Sequence, residues 1–505
     1  MENIEKLKQD VCEGRIDPVR LVDLLARTQQ QLQASQQQLQ AAQQRIAELE
    51  KQLPGSPTPK VDEPFSLNAE EKRQQKRGKK KRRRQQKNRR GRIPTAQKIA
   101  QAERTEKVFP DGVPPSDCHL SHIRPIWRLE NGRAVLVAYE VYRGPHSQYG
   151  QIPGTLGRSE FGLEIIVAIA FMVHVVGLSF DKVCLMLNFF QHLRVRKSQA
   201  DALLRQLARH WEDEFETLCT LLANSAVVHA DETGWSLKSV WAFVSEKARV
   251  LLFGVNKNAE TLQAILDPAT FTGLVISDDA AVYAHFTQSQ KCWAHLLRKA
   301  IKLTLLDPDN ADYRTFTDRL LAIYQEACRI QGDGRLSEAG RAQKVVGLED
   351  EIFSLCDPVW FVDGPALEGL ANDYRLLVNE IMRLMLAQQL FPFVTAPPVT
   401  QPNGKTQPVS GTNNEAERTL RGAAQARDTG RTSKTPSGAR RQTILTSVLE
   451  SLRLYLAEYT IWSVLGEIQR WSEVGRSCFA ELLAKLKIAP ASASTLDLVF
   501  IPSSG

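Results

Sequence analysis

Ala226-Val-Val-His-Ala-Asp231, Ser239-Val-Trp-Ala-Phe-Val-Ser-Glu246, Arg249-Val-Leu-Leu-Phe-Gly-Val255 and Leu274-Val-Ile-Ser-Asp278 are four short runs rich in β-branched and aromatic residues. Turn signals separate them, which is the pattern of strands and not of helix. Ala259-Glu-Thr-Leu-Gln-Ala-Ile-Leu266 between the third and fourth has helical composition, and Lys291-Cys-Trp-Ala-His-Leu296 is a candidate fifth strand. The order β-β-β-α-β-α-β describes an α/β fold, a mixed sheet with flanking helices.

Outward from this core the chain divides by composition. Residues 110–225 read as a mainly helical region, with one buried helix from Phe161 to Leu178. A second is capped by Ser179 or Asp181 and ends near Phe190, and a third runs from Lys197 towards Leu222. A short turn carrying Arg194, Arg196 and Lys197 joins the last two, an arrangement shared by helix-turn-helix DNA readers and by plain bundles. Residues 226–299 hold the strands, and 300–411 a helical insertion ending in a Pro/Gly/Thr-rich loop. Residues 412–475 are helical again, and 476–505 form a C-terminal tail.

The N-terminal fifth has a different character. Over residues 1–53, Leu25, Leu32, Leu39, Ile46 and Leu53 recur every seven residues, the seam of a coiled coil that pairs protomers, as a homodimer or a higher oligomer. Its companion seam, Leu21, Thr28, Ser35, Ala42 and Leu49, is small and partly polar, so the coil is weak. Residues 54–109 are a linker and a basic arm. Between Lys72 and Arg92 stand 14 Lys or Arg and no acid, centred on Lys79, Lys80, Lys81, Arg82, Arg83 and Arg84. The whole chain of 505 residues carries only +8, so the remainder is acidic by the difference, −6. Such an arm holds phosphates with strong salt dependence and little sequence choice, which makes double-stranded DNA the expected partner.

Composition removes other classes. The Met1–Asp10 stretch lacks an apolar h-region, so it is no secretory signal. The most apolar stretch, Leu163–Phe180, is short for a membrane span and contains Glu164 and His174. The eight cysteines are scattered without a CxxC pair, which fits a reducing cytoplasm, with nucleoid association if the source is bacterial. Cys118, His119 and His122 cluster but lack the further ligands a structural zinc takes.

Three acids stand where a strand ends or a helix begins. Asp231 follows Val-Val-His-Ala, Asp278 follows Leu-Val-Ile-Ser, and Glu417 lies at the start of a helix capped by Asn413 or Asn414. Gathering carboxylates is expensive unless cations neutralise them, and hard oxygen ligands suit Mg²⁺ or Mn²⁺. Each acid has a neighbour that is a competing choice: Glu232, Asp279 and Glu415.

The strings HADETGW, SVWAFV, GLVISDDAAVY, KCWAHLLRK and NNEAERTLR, in this order, resemble the catalytic core of the bacterial insertion-sequence-sixty-six family of transposases. The resemblance implies a DDE transposase with an RNase H-like fold, using two metal ions for cleavage at element ends and strand transfer. It places the catalytic and metal-binding acids on Asp231, Asp278 and Glu417, with 46 residues inside the first interval and 138 inside the second. It assigns supporting roles to Cys292 and His295, as a Cys-x-x-His signature, and sets Arg418 and Arg421 beside the site. Many relatives carry an N-terminal Cys-rich zinc segment; residues 110–150 here keep only Cys118. Two other functions fit the same residues: a nuclease that cuts without joining, and a domesticated regulator that only binds DNA.

Overall fold

The computed structural model describes residues 93–236, 238–360, 368–491 and 493–500, so the expected coil, linker and most of the basic arm lie outside the described residues. The first elements are helix α1 (Thr95–Ala100) and strands β1 (Arg104–Val108), β2 (His119–Glu130) and β3 (Arg133–Arg143). Strand β3 is central, parallel to β1 and antiparallel to β2. Asn131-Gly132 joins β2 to β3 with φ of 50° and 77°. Two successive left-handed residues form the hairpin turn whose twist suits paired strands, and Asn-Gly is its preferred sequence. The mainly helical reading of 110–225 is therefore corrected at its start, where hairpin chemistry outweighs everything nearby.

The helices that follow are α2 (Leu163–Ala170), α3 (Phe180–Gln191), α4 (Lys197–His210) and α5 (Glu212–Ala223). Helix α2 widens into a π-helical turn at Phe171–Val175. Ser179 caps α3, its hydroxyl accepting from the Lys182 amide at 3.3 Å. The third expected helix is two, because Trp211 leaves helical geometry (φ −107°, ψ 13°) and buries its ring.

The main sheet contains β4 (Val227–Trp235), β5 (Lys238–Ser245), β6 (Arg249–Val255), then α6 (Ala259–Gln263), β7 (Leu274–Ser277) and β8 (Ser289–Lys291). Its order is β6-β5-β4-β7-β8, an antiparallel meander followed by two strands parallel to β4. The fifth strand lies earlier than expected and shares only Lys291 with the Lys291–Leu296 run. From Cys292 onward the apolar residues Trp293, Leu296, Ala300 and Leu303 recur at helical spacing, and the chain turns into α7 (Trp293–Leu306).

Beyond α7 come α8 (Ala311–Gly332), α9 (Glu338–Cys356), α10 (Gly369–Leu386), α11 (Pro392–Thr395) and the small ribbon β9 (Val399–Thr400) with β10 (Thr406–Gln407). These helices close a core of their own around Trp293, Phe316, Ile352, Ile381 and Phe393, which reaches the sheet through Val227, Leu274 and Ile276. The chain returns as α12 (Asn414–Asp428), α13 (Pro436–Leu452), α14 (Ile461–Val474), α15 (Cys478–Lys485) and α16 (Thr495–Phe500). Phe479, Leu483 and Leu496 join the larger core, so the described residues after 476 pack as structure and are no loose tail. Among the described residues no helix is long and apolar enough to cross a membrane.

Strand β6 is a sheet edge, and α13 seals it. The hydroxyls of Thr443, Ser447 and Ser451 accept from the backbone amides of Phe253, Leu251 and Arg249 at 3.0, 2.9 and 2.9 Å. Four helical residues rise about 6 Å, and two strand residues span about 6.7 Å, so hydroxyls at i, i+4 and i+8 meet alternate strand amides. Ser447→Ala leaves the buried Leu251 amide unpaired and is expected to lower stability by about 1–3 kcal/mol in urea unfolding. An unchanged unfolding midpoint would show that the ladder contributes nothing.

Candidate active site

The pairing of β4 with β7 sets the first two acids. Val227 stands opposite Leu274, Val228 opposite Val275 and His229 opposite Ile276. That constant offset, carried two residues on, puts Asp231 beside Asp278 just where β7 has ended. In extended backbone Asp231 shares a face with His229, while Glu232 points the opposite way.

A chain of three hydrogen bonds ties this rim to α12. Asn413, fully buried, donates its side-chain amide to the Ala230 carbonyl at 2.8 Å. Its backbone N–H donates to Cys292 Sγ at 3.1 Å. The Cys292 N–H in turn donates to the Ser277 carbonyl at 3.0 Å. Asn413 therefore sits at the start of α12 without capping it by its side chain; it spends that side chain on β4. Cys292 is 1% exposed, and burial pushes its thiol pKa up, so it acts as a neutral packing and accepting group.

Asp231 is pushed up to about 7, first by burial and then by the charges of Glu232, Asp278 and Glu417, against one hydrogen bond from the Glu232 amide. Among the described residues no ion pair closes on Asp231 or Asp278. Asp278 accepts from the Ala280 amide at 3.0 Å, and the buried Lys291 ammonium binds its carbonyl, not its carboxylate, at 3.1 Å. Burial pushes the Lys291 pKa down.

The competing acids are all engaged elsewhere. Glu232 lies on the other face, 2% exposed at its side chain, bound by Lys257 at 2.6 Å and by the Tyr283 hydroxyl. Asp279 pairs with Arg383 of α10, and Glu415 with Arg249 of β6 at 3.2 Å. Glu417 also has partners: His295 Nε2 at 3.2 Å and Arg298 at 2.9 Å, both from α7. Cys292, His295 and Glu417 offer donor atoms within 4.8 Å of one another, a tighter group than Glu417 forms with the aspartates. With Cys292 neutral this group lacks the thiolate and the fourth ligand that a zinc centre takes.

The other expected residues are dispersed. Arg418 lines the flank of α12 that carries Glu415 and not the flank that carries Glu417, and Arg421 is exposed. The arginine on Glu417 is Arg298, which the sequence reading missed; its signal was the three-residue helical step from His295. Arg194 and Lys197 are exposed at the α3–α4 turn, and Lys197 is paired with Asp181 at 2.5 Å. Arg196, also exposed, begins α4 as its cap residue. Lys79 to Arg84 lie outside the described residues.

Fold and site together define a mixed α/β protein with an unneutralised pair of strand-end aspartates and a third carboxylate on a nearby helix. In the comparison with protein families, residues 158–362 match the family model described as Transposase IS66 family. The matched span contains Asp231, Asp278, Cys292 and His295 and ends before Glu417. No curated protein matches the chain. The match supports a transposase role in general terms, that of a protein acting on DNA.

Because the fold favours neutral Asp231, that contribution to stability is whole below its ordinary value of 3.8 and is lost as pH rises through about 7. In chelator-treated buffer, Asp231→Asn is expected to melt higher than the parent by roughly 1–4 °C at pH 8, with the gap narrowing towards pH 5. Calorimetry at the two pH values checks this; a gap of the opposite sign removes the electrostatic account.

Proposed function

We propose that the chain is a DDE-type DNA transposase with an RNase H-like core, in which Asp231, Asp278 and Glu417 carry the chemistry. The observation that carries this reading is the register of β4 on β7, which sets two aspartates side by side inside a segment of a transposase family. The order β6-β5-β4-β7-β8, with only the last two strands parallel to β4, supports the RNase H-like assignment.

The donor set fits a hard divalent cation, Mg²⁺ or Mn²⁺. Asp231 and Asp278 are carboxylates without an ion-pair partner among the described residues, and burial, followed by the neighbouring acids, pushes the Asp231 pKa up to about 7. When bound, such ions supply an activated water and stabilise the leaving 3′ oxygen. Glu417 is the third carboxylate, released from His295 and Arg298 as the site assembles; Arg298 is then free for a phosphate oxygen. The 3′-hydroxyl freed at an element end attacks the target strand in line, exchanging one phosphodiester for another without a nucleotide energy source. The seam over 1–53 pairs protomers so that two ends are held together, and the Lys72–Arg92 arm adds affinity for any DNA.

Asp231→Ala, Asp278→Ala and Glu417→Ala are each expected to lower strand transfer in Mg²⁺ by more than about a thousandfold, while DNA affinity stays within about twofold. Asp279→Asn is expected to keep transfer. A gel assay for joined product decides: full transfer by any of the three alanine variants removes that acid from the site. Cleavage without joining by the parent chain makes it a nuclease.

A further inference from the structure

On the flank of α12 away from Glu417, a cleft of about 840 Å³ opens between α12, the first turns of α13, strand β6 and the π-helical turn after α2. Its basic lining is Arg249, Arg418, Arg431, Lys434, Arg441 and Arg453, against the two acids Glu415 and Glu450. Those acids are taken: Arg249 reaches both, and Arg453 lies 3.0 Å from Glu450. Arg441 pairs with Asp201. Arg418, Arg431 and Lys434 have no carboxylate partner among the described residues, which leaves the wall strongly positive.

A second, independent feature is the set of polar atoms stranded there. Thr446 is 4% exposed and its hydroxyl has no hydrogen-bond partner among the described residues; Thr432 Oγ1, His174 Nε2 and Arg441 Nε are likewise buried and without a partner there. All four residues line this cleft. Buried polar groups are nearly always satisfied, so a cluster of exceptions on one wall marks the place of a missing partner. The guanidinium N–H can only donate and the two hydroxyls are able to donate, so a partner that brings acceptors satisfies all three. The 17-residue helix α13 also begins here, with Thr435 as its cap and its positive end at the cleft mouth.

We propose that this cleft binds the sugar-phosphate backbone of DNA, as a contact separate from the carboxylates by the thickness of α12. The naming of DNA as the polyanion rests on the function proposed above; the acceptor-rich, anionic character of the ligand does not. Helix α12 then meets DNA on two flanks, with Glu417 on one and Arg418 on the other.

The test uses the full chain and the salt dependence of its affinity for a short duplex. Arg431→Ala/Lys434→Ala removes two exposed cations, and the slope of log affinity against log salt is expected to fall by about 1.8, at about 0.9 per phosphate contact. Arg319→Ala/Lys344→Ala, exposed positions on α8 and α9, is expected to leave the slope unchanged. Thr446→Val keeps the volume and removes the stranded hydroxyl; duplex affinity is expected to drop severalfold with no fall in thermal midpoint. An unchanged slope in the first variant overturns the proposal. So does a nucleoside triphosphate that stabilises the parent but not this variant while the duplex slope stays put, since the cleft then takes a small ligand. A chain that transfers no strands yet shows the slope change loses the catalytic reading and keeps the cleft; active transfer with an unchanged slope does the reverse.

Discussion

The Asn413 side chain, buried between β4 and α7, is the joint on which the site depends. It holds the Ala230 carbonyl, its own amide holds Cys292 Sγ, and the Cys292 amide holds the Ser277 carbonyl. Each acid is thereby one short step from a fixed point. Asp231 follows Ala230, Asp278 follows Ser277, and Glu417 is one helical turn past Asn413. A buried amide left without a partner is unfavourable, so each of these three bonds favours keeping the elements together. The two long intervals between the acids are compatible with this. Going from 46 to 138 intervening residues is less than two doublings, about 1 kcal/mol of added closure entropy. The inserted helices offset that through their own core around Trp293 and Phe393.

The distribution of cations around this joint separates the acids into two kinds. Lys257 from the β6–α6 loop, Arg383 from α10 and Arg249 from β6 answer Glu232, Asp279 and Glu415. Among the described residues, Asp231 and Asp278 receive backbone amides only. Burial first, and then the neighbouring carboxylates, push the Asp231 pKa up. Glu417 is intermediate, held by His295 and Arg298 at a surface where exchange with solvent ions is easy.

How much of this was legible in the sequence follows from the range of each interaction. The strands at 226–278 were readable because their alternation and turns are local. So were the separate directions of Asp231 and Glu232, which need only the period of two. The β2–β3 hairpin was equally local, written in Asn131-Gly132, and was passed over under the weight of the helical pattern that follows. The boundary at Cys292 was misplaced because a three-residue strand is too short to show any period. What no local pattern carries is partnership. Asn413 meets a carbonyl 183 residues earlier and Arg298 meets a carboxylate 119 residues later. Their residue types suit many other roles, so only the closed fold reveals which one each takes.

The sheet edge shows how one structural need shapes another surface. An exposed strand edge must be covered, and α13 covers β6 with a stripe of hydroxyls at Thr443, Ser447 and Ser451. A helix that gives one stripe to such a task presents the adjoining stripe, about 100° away, to whatever lies beside it. Gln442, Thr446 and Glu450, each one residue before a ladder position, fall on that stripe, and all three line the basic cleft. The polar wall of the cleft is thus continuous with the device that closes the sheet, and substitutions along α13 act on edge sealing or on the cleft according to their position in the helical repeat.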